Sequence, residues 1–596
     1  MNKSSTGIRL IVCWVSIMGS FCFGENSSSS QRPNVLFILT DDQGYGDLSL
    51  HGNPHLSTPA MDSIGNQGVR LDRFYVSPVC APTRASIMTG RYHLRTGVFG
   101  VTRRQEVMNP EDTTIAELMR KHGYETGCFG KWHNGAIYPE TPNGQGFDEF
   151  LGFLGGVWRE YYNPVLTHND TNLRYDGYIT EILTDAAIQW MEDQIEGSQP
   201  FFCYLSYNAP HTPGLVAEKY WKPFYNKNVG RWESVIYGMI KSIDDQIARL
   251  LQLLERTDQV ENTIVIFLTD NGPNTWRYTA GLKGRKGHIH EGGIRVPAFI
   301  RWPGKLEPQM VSKPLSHIDL LPTLAELCGL TGVDALDLDG RSFASLLKDP
   351  TATWRDRLLI SFSHGDEKKI RENGTVHSDR WTAVQEKGKW SLYDILADVR
   401  QFNDLADQFP DVVQRLSAHF EDTLATIPNL AEESPIPLGH KGQSLVVLKG
   451  HDSRFSVPRG EGIDYNYPAG FTGHWISNWT DSNAYAEWNL NVVAGGKYAV
   501  NLLYCIPTED LGVKGYFEVD SQKLPFTISQ AFDPEPYSQP FMLDGESTKY
   551  ENKPWKRLSL GQVEIRTGSS TAGIRLTNIP GKAGMEVKEI ELRRLN

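Results

Sequence analysis

Four apolar runs in the first half of the chain, Asn34 to Leu39, Glu125 to Phe129, Phe201 to Leu205 and Thr263 to Leu268, each pass directly into polar, ionisable residues. The residues that follow are Asp41-Asp42, Lys131-Trp132-His133, Asn208 to His211 and Asp270-Asn271. Taken singly, an Asp or Asn after a strand more often closes an Asx turn than binds a ligand. Four such endings carry more weight. In an open parallel sheet ligands bind outside the carboxyl ends of the strands, so four distant segments deliver their side chains to one crevice. Asp41, Asp42, Asp270 and Asn271 offer three carboxylates and an amide oxygen, hard ligands suited to calcium or magnesium rather than zinc or copper.

The segment CAPTRASIMTGR, residues 80–91, reads as a helix. Pro82 suits a first turn, Ala85, Ile87 and Met88 continue it, and Gly90 closes it. Cys80 then stands at the helix entrance, where exposed backbone N–H groups attract an anion and Arg84 adds a permanent positive charge. A tetrahedral oxyanion suits this position. A thiolate is an odd neighbour for a hard cation, and an oxygen-bearing side chain fits better.

The elements that must position these groups follow from periodicity. The four runs are near-continuous apolar segments of the kind found in strands covered by helices on both faces. Stripes at helical spacing, Ile236 to Leu254 and Ile179 to Trp190, supply the covering layers. The region up to about residue 335 is therefore expected to be α/β, with a large, mostly parallel sheet between helices. A smaller α+β unit is expected over 336–430, a Pro-containing linker over 431–444 and an all-β sandwich over 445–596. Within the last unit, Ala486 to Val492 and Tyr498 to Tyr504 alternate around Gly495-Gly496 as in a hairpin.

The segment from Cys80 to Arg91 resembles the C-x-P-x-R signature of type I sulfatases of the alkaline phosphatase superfamily. NVLFILTDDQGYGD, GCFGKWH, YNAPHTP, VIFLTDNG and GRKGHIHEGGIRVP support it in the same order, and LYDILADVRQFNDLA resembles that family's C-terminal subdomain. The likeness covers about residues 32 to 430. It implies an alkaline-phosphatase-like sheet, one calcium ion, and a Cys80 oxidised to formylglycine by a formylglycine-generating or equivalent maturation enzyme. The hydrated aldehyde places hydroxyls beside the metal, and one attacks sulfur. Carried over by position, Asp41, Asp42, Asp270, Asn271 and modified Cys80 hold calcium, and Arg84 orients the hydrate. Lys131 and Lys286 hold sulfate oxygens, His133 assists proton transfer at the hydrate, and His211 protonates the departing oxygen. Asn134, where a leucine usually follows the histidine, and the short stretch 381–392 depart from the family pattern. Two readings compete with a sulfatase: a phosphodiesterase or phosphonate monoester hydrolase on the same superfold, and a noncatalytic glycan-binding protein.

Arg103, Arg104, Trp158, Arg159 and Tyr161 have the types that meet sugars, aromatics for ring faces and arginines for acidic groups, and are candidate substrate-binding residues. The C-terminal unit resembles carbohydrate-binding modules, with Trp475 and Trp479 as candidate ligand contacts and Trp488 as core. A sulfated polysaccharide or its oligosaccharides is the expected substrate.

The 596 residues carry a formal charge of minus 12 with basic residues dispersed, which argues against nucleic acid as a partner. Lys3 and Arg9 precede an apolar run, Ile11 to Phe23, short for a bilayer but suited to a signal peptide over 1–24. An exported protein, periplasmic or secreted, with no permanent membrane span after cleavage, is expected. Of seven cysteines, Cys13 and Cys22 fall in that segment. Cys80, Cys128, Cys203, Cys328 and Cys505 remain, an odd number that argues against a disulfide scaffold.

Overall fold

The computed structural model describes Met1 and residues 32–225, 229–427, 429–467, 470–537 and 552–595. Apart from Met1, the proposed signal segment lies outside them. No helix among the described residues is long and apolar enough to cross a membrane.

The four apolar runs are strands β1 (Asn34–Thr40), β2 (Glu125–Lys131), β3 (Phe201–Ser206) and β4 (Thr263–Thr269). They lie side by side in the order β4-β1-β3-β2, all parallel. Parallel pairing brings all four carboxyl ends to one edge, which is why their polar endings meet. Residues Asn34–Thr40 and Thr263–Thr269 are buried throughout, as required of strands covered on both faces. Shorter strands, several of them antiparallel, extend this sheet to ten among the described residues. Helix α1 (Cys80–Thr89) is wholly buried and ends at Gly90, whose left-handed backbone (φ 68°) places its N–H on Ser86 O. Helices α2 (Ile179–Gly197) and α3 (Arg231–Arg256) contribute Leu183, Ile240, Ile243 and Ile247 to the core on the other face.

A four-stranded antiparallel sheet, Leu359–Phe362, Gly374–His377, Trp381–Glu386 and Lys389–Asp394, follows. The helix Pro410–Ala425 packs Leu416, Phe420 and Leu424 against it. The fold is thus α/β with a small α+β unit, completed by a C-terminal sandwich of two sheets around its own core.

Two expectations for the C-terminal part are corrected, the hairpin and the exposed tryptophans. Strands Tyr485–Val492 and Gly496–Cys505 exist with the expected alternation, but they do not pair. The first joins Gly568–Asn578 in one sheet, and the second joins Lys556–Ile565 and Glu586–Leu595 in the other. The Gly495-Gly496 turn therefore crosses between sheets, because alternation reports which face is buried and not which neighbour is bonded. Within the proposed linker over 431–444, Ile436–Leu438 is a buried strand parallel to Leu490–Val492. Trp475 and Trp479 are as buried as Trp488, at 2%, 0% and 1% exposure, and each spends its indole N–H inside the protein, on Glu586, Ala484 O and Lys449 O respectively. They are core residues. The five cysteines outside the N-terminal segment are all free and buried.

Candidate active site

At the carboxyl edge, Asp41 and Asp42 follow β1, Lys131 ends β2, and Asp270 and Asn271 follow β4, all buried. Asp42 and His133 adopt left-handed backbone (φ 68° and 67°). Such backbone costs about 1–3 kcal/mol per residue and persists where surroundings enforce it. Around Asp42 the enforcement is visible. Arg277 donates from Nη2 to Asp42 O at 2.8 Å and is itself held by Asp47.

Cys80 opens α1 beneath this edge, and its Sγ lies within 4.8 Å of carboxylate oxygens of Asp41 and Asp270. Lys286 Nζ stands 4.0 Å from Sγ and donates to Asp42 Oδ1 at 2.6 Å. Burial pushes the thiol pKa up, with Lys131 and Lys286 offsetting part of the effect. Lys131 Nζ donates to Asp41 Oδ2 at 2.6 Å. Arg84 donates through Nη2 and Nε to Asp270 Oδ2, at 2.7 and 3.1 Å, and through Nη1 to Ser206 Oγ. Burial and the neighbouring Asp41 raise the Asp270 carboxyl to about 6 despite the guanidinium.

The donor set fits a hard divalent cation. Asp41 Oδ1, Asp42 Oδ2 and Asn271 Oδ1 are buried without a hydrogen-bond partner among the described residues, although buried acceptors are normally satisfied. Asp41, Asp42 and His211 form one cluster of possible ligands, and Asp41, Cys80 and Asp270 another. Oxygen dominates, as calcium and magnesium require.

The two histidines differ in which nitrogen they leave available. His133 Nε2 lies 2.8 Å from Val101 O and, facing a carbonyl, must carry the proton. Its Nδ1 is a buried lone pair with no partner among the described residues, and burial beside Lys131 holds the pKa well below the usual range. His211 Nδ1 donates to Thr212 O at 2.6 Å, leaving Nε2 as the free nitrogen, 3.7 Å from Asp42 Oδ2. Burial brings His211 down to about 3, although Asp42 opposes the shift.

Of the proposed substrate residues, Tyr161 is bonded to this edge, through the carbonyls of Asn208 and His211. Arg104 is corrected: it is buried, ion-paired with Glu140 and bonded to Ser434 O and Pro435 O, so it fastens the C-terminal part. Tyr161 is corrected too, being 1% exposed with its hydroxyl donating to His211 O at 2.6 Å. Arg103 is half-buried, near enough to Tyr465 to affect its phenol electrostatically. Arg159 donates to Gly473 O at 3.1 Å, and Trp158 stacks on Phe153, ring centroids 5.2 Å apart. Residue type alone could not tell a charge paired within the protein from one left for a ligand.

Sequence reasoning missed Ser206, Arg277 and His364. The first two steady Arg84 and Asp42 but sit in no spacing pattern. His364 comes from the α+β unit, and burial, Lys369, His93 and more distantly Lys286 hold it near 3.

A family model described as Sulfatase matches residues 33–330, and one described as N-sulphoglucosamine sulphohydrolase, C-terminal, matches residues 285–427. "Uncharacterized sulfatase YdeN" of Escherichia coli (strain K12) is 31% identical over 478 residues, spanning 65% of this chain and 85% of that protein. "Arylsulfatase A" of Homo sapiens is 30% identical over 384 residues, spanning 57% and 72%. The crystal structure of Ps i-CgsB in complex with k-i-k-neocarrahexaose superposes with a TM-score of 0.63 at 27% identity, covering 67% of this chain and 94% of that one. Both family matches end before the C-terminal sandwich.

Proposed function

The chain belongs to the sulfatase family, hydrolases of sulfuric esters, and we propose that it is exported and releases inorganic sulfate from a sulfated polysaccharide or its oligosaccharides, using a formylglycine made from Cys80 and one calcium ion. The observation that carries this reading is the surroundings of Cys80: carboxylate oxygens of Asp41 and Asp270 within 4.8 Å and an ammonium at 4.0 Å. A soft thiol among hard oxygens is mismatched, and an oxygen-bearing derivative on the same carbon is not.

Asp41, Asp42, Asp270 and Asn271 would hold calcium together with the modified residue. When present, the formylglycine hydrate supplies the nucleophilic hydroxyl and the metal neutralises negative charge. Lys131 and Lys286 stand on opposite carboxylates of the cluster and are placed to take sulfate oxygens as charge builds on them. Arg84, locked by Asp270 and Ser206, fixes the floor beneath Cys80. His133 Nδ1 is a neutral proton acceptor in a dry position. His211 Nε2 is the nitrogen available to the leaving oxygen, and a bound sulfate ester raises its basicity through added negative charge.

The structure of Ps i-CgsB in complex with k-i-k-neocarrahexaose, whose match covers two thirds of this chain, supports a carbohydrate substrate. Export rests on the N-terminal signal-like segment, and the domain limits at about 335, 430 and 445 are part of the same reading.

Mass spectrometry of the Cys80 peptide from active protein is expected to show an aldehyde in place of the thiol. Cys80→Ala is expected to lower aryl sulfate hydrolysis by about 10⁴-fold or more. Chelation of divalent ions should suppress turnover, with recovery on adding calcium. An intact thiol in fully active enzyme, or faster turnover of an aryl phosphate diester than of an aryl sulfate, would overturn the assignment.

A further inference from the structure

The ring of His133 is held by a segment without a role so far, residues 99–106. Its Nε2 donates to Val101 O at 2.8 Å, which fixes the Nε2–H tautomer and leaves Nδ1 as a buried lone pair. The backbone that presents this carbonyl is not in a relaxed state. Arg103 and Arg104 are both left-handed, with φ of 61° and 66°, and two such residues in succession persist only where their surroundings over-determine them. The turn closes on Gln105 O, which accepts from Phe99 N and Gly100 N at 2.9 and 3.0 Å.

Two side chains fasten the segment. Asn134, the residue after the histidine, is buried and donates from Nδ2 to Glu106 O at 3.3 Å and to Ala81 O, in the first turn of α1, at 3.1 Å. An amide nitrogen facing two carbonyls cannot change places with its oxygen, and Oδ1 is buried with no hydrogen-bond partner among the described residues. A dry acceptor costs free energy that the two donated bonds offset. The second fastening is Arg104. Its guanidinium pairs with Glu140, whose carbonyl accepts from Nε1 of Trp132, the residue before the histidine, at 2.9 Å. It also donates to Ser434 O and Pro435 O at 3.1 and 3.0 Å, beside the strand Ile436–Leu438, while Thr102 Oγ1 donates to Gly470 O of the sandwich at 3.3 Å. Gly365 N of the α+β unit donates to Phe99 O at 2.6 Å. A Cβ on Gly156 would come within 2.2 Å of His133 Nε2, and one on Gly155 within 2.4 Å of Thr472 of the sandwich.

We infer that Asn134 and Arg104 are positioning residues, which hold segment 99–106 so that Val101 O sets the tautomer and the place of His133, and that the C-terminal sandwich, by docking on this segment, takes part in building the catalytic centre. The inference rests on the sulfatase reading for what His133 does, but not for how the ring is held. Both residues act through the ring, Asn134 from within the catalytic unit and Arg104 from its contact with the sandwich.

The test uses the full chain and 4-nitrophenyl sulfate. Asn134→Ala is expected to lower kcat about tenfold with KM changed less than about twofold, since a displaced proton-transfer group loses rate and not binding. In the His133→Ala background the same substitution should lower kcat by less than about twofold, because two changes that act through one ring are not additive. Arg104→Lys, which keeps a charge beside Glu140 and loses the fork that reaches Ser434 and Pro435, should behave likewise and keeps the test open should Asn134→Ala fold poorly. A readout independent of turnover is nitrogen NMR of the chain labelled with ring-15N histidine, the His133 signals being those missing from His133→Gln. The parent should show His133 as Nε2–H alone, and the variants a mixture of tautomers. Unchanged kcat, a loss undiminished in the His133→Ala background, or a tautomer the same in parent and variants overturns the positioning role. A parent that hydrolyses no aryl sulfate, yet shows one tautomer that becomes mixed in the variants, overturns the sulfatase reading and leaves the hold on His133 standing.

Discussion

Arg84, Lys131, Asp41 and Asp270 are four charges in a site with essentially no solvent contact, each pair close enough to hydrogen-bond. Removing one member of such a set leaves its partner buried and uncompensated, typically at about 3–5 kcal/mol. Loss of activity in variants of these residues would therefore be mixed with loss of fold. His211 is a cleaner probe because it is 12% exposed and its Nε2 has no hydrogen-bond partner among the described residues, Asp42 Oδ2 standing 3.7 Å away. If it serves the leaving oxygen, His211→Ala should cost about 10²–10⁴-fold with an alkyl or sugar sulfate. The loss should shrink markedly with 4-nitrophenyl sulfate, whose leaving group needs little protonation. A loss independent of leaving group would assign His211 to binding. At this scale the ligand-type residues were legible because strand ends announce themselves in hydropathy. Tyr161 and Arg104 were misread because an aromatic or arginine in a loop looks the same whether its partner is a sugar or Glu140.

Elements were read well where burial on both faces makes the pattern continuous. All four central strands and the helix at Cys80 occupy the residues expected of them. In the sandwich, periodicity located strands but not neighbours, since Tyr485–Val492 and Gly496–Cys505 bury the same alternating residues whether they pair or face each other across a core. The short strand Ile436–Leu438 was hidden by Pro435 before it and Pro437 inside it. One loop links the site to this region, and Gly156 decides its path. Gly156→Ala would place a methyl 2.2 Å from His133 Nε2, and either the ring or the loop must move. The expected result is a fall of tenfold or more in turnover with thermal stability lowered by only about 1–3 kcal/mol, the usual cost of overpacking. Unchanged kinetics in Gly156→Ala would show that the loop can shift without disturbing His133.

At the scale of the whole molecule, the catalytic unit and the sandwich share a buried polar seam. Arg104 pairs with Glu140 and reaches Ser434 and Pro435, Thr102 bonds Gly470 O, and Glu106 lies near Asp452. Glu106 Oε2 is buried without a hydrogen-bond partner among the described residues. Burial and the Asp452 carboxylate raise Glu106 to about 7, while Arg104 offsets part of the shift, and burial raises Asp452 as well. The other ionisable groups at this seam include Arg103, Glu140, Lys449, the ion pair of Arg454 with Glu433, and His451, the last held neutral by burial. A carboxyl whose pKa is higher in the folded protein keeps its proton there after the unfolded chain has lost it. Its contribution is therefore complete below about pH 4.5 and is lost as pH rises through about 7. The Glu106 contribution is expected to fall by about 1–3 kcal/mol between pH 5 and 8, against the opposite contribution of buried neutral histidines such as His133, His211, His364 and His451, which grows as pH rises through the unfolded value near 6.5. Glu106→Gln, neutral throughout, removes only the first, so its stability relative to the parent should rise from pH 5 to pH 8. Denaturant titrations at pH 5, 6, 7 and 8 would measure this. Parallel pH profiles for parent and variant would mean that Glu106 is already ionised at pH 5 and that Arg104, not protonation, holds the units together.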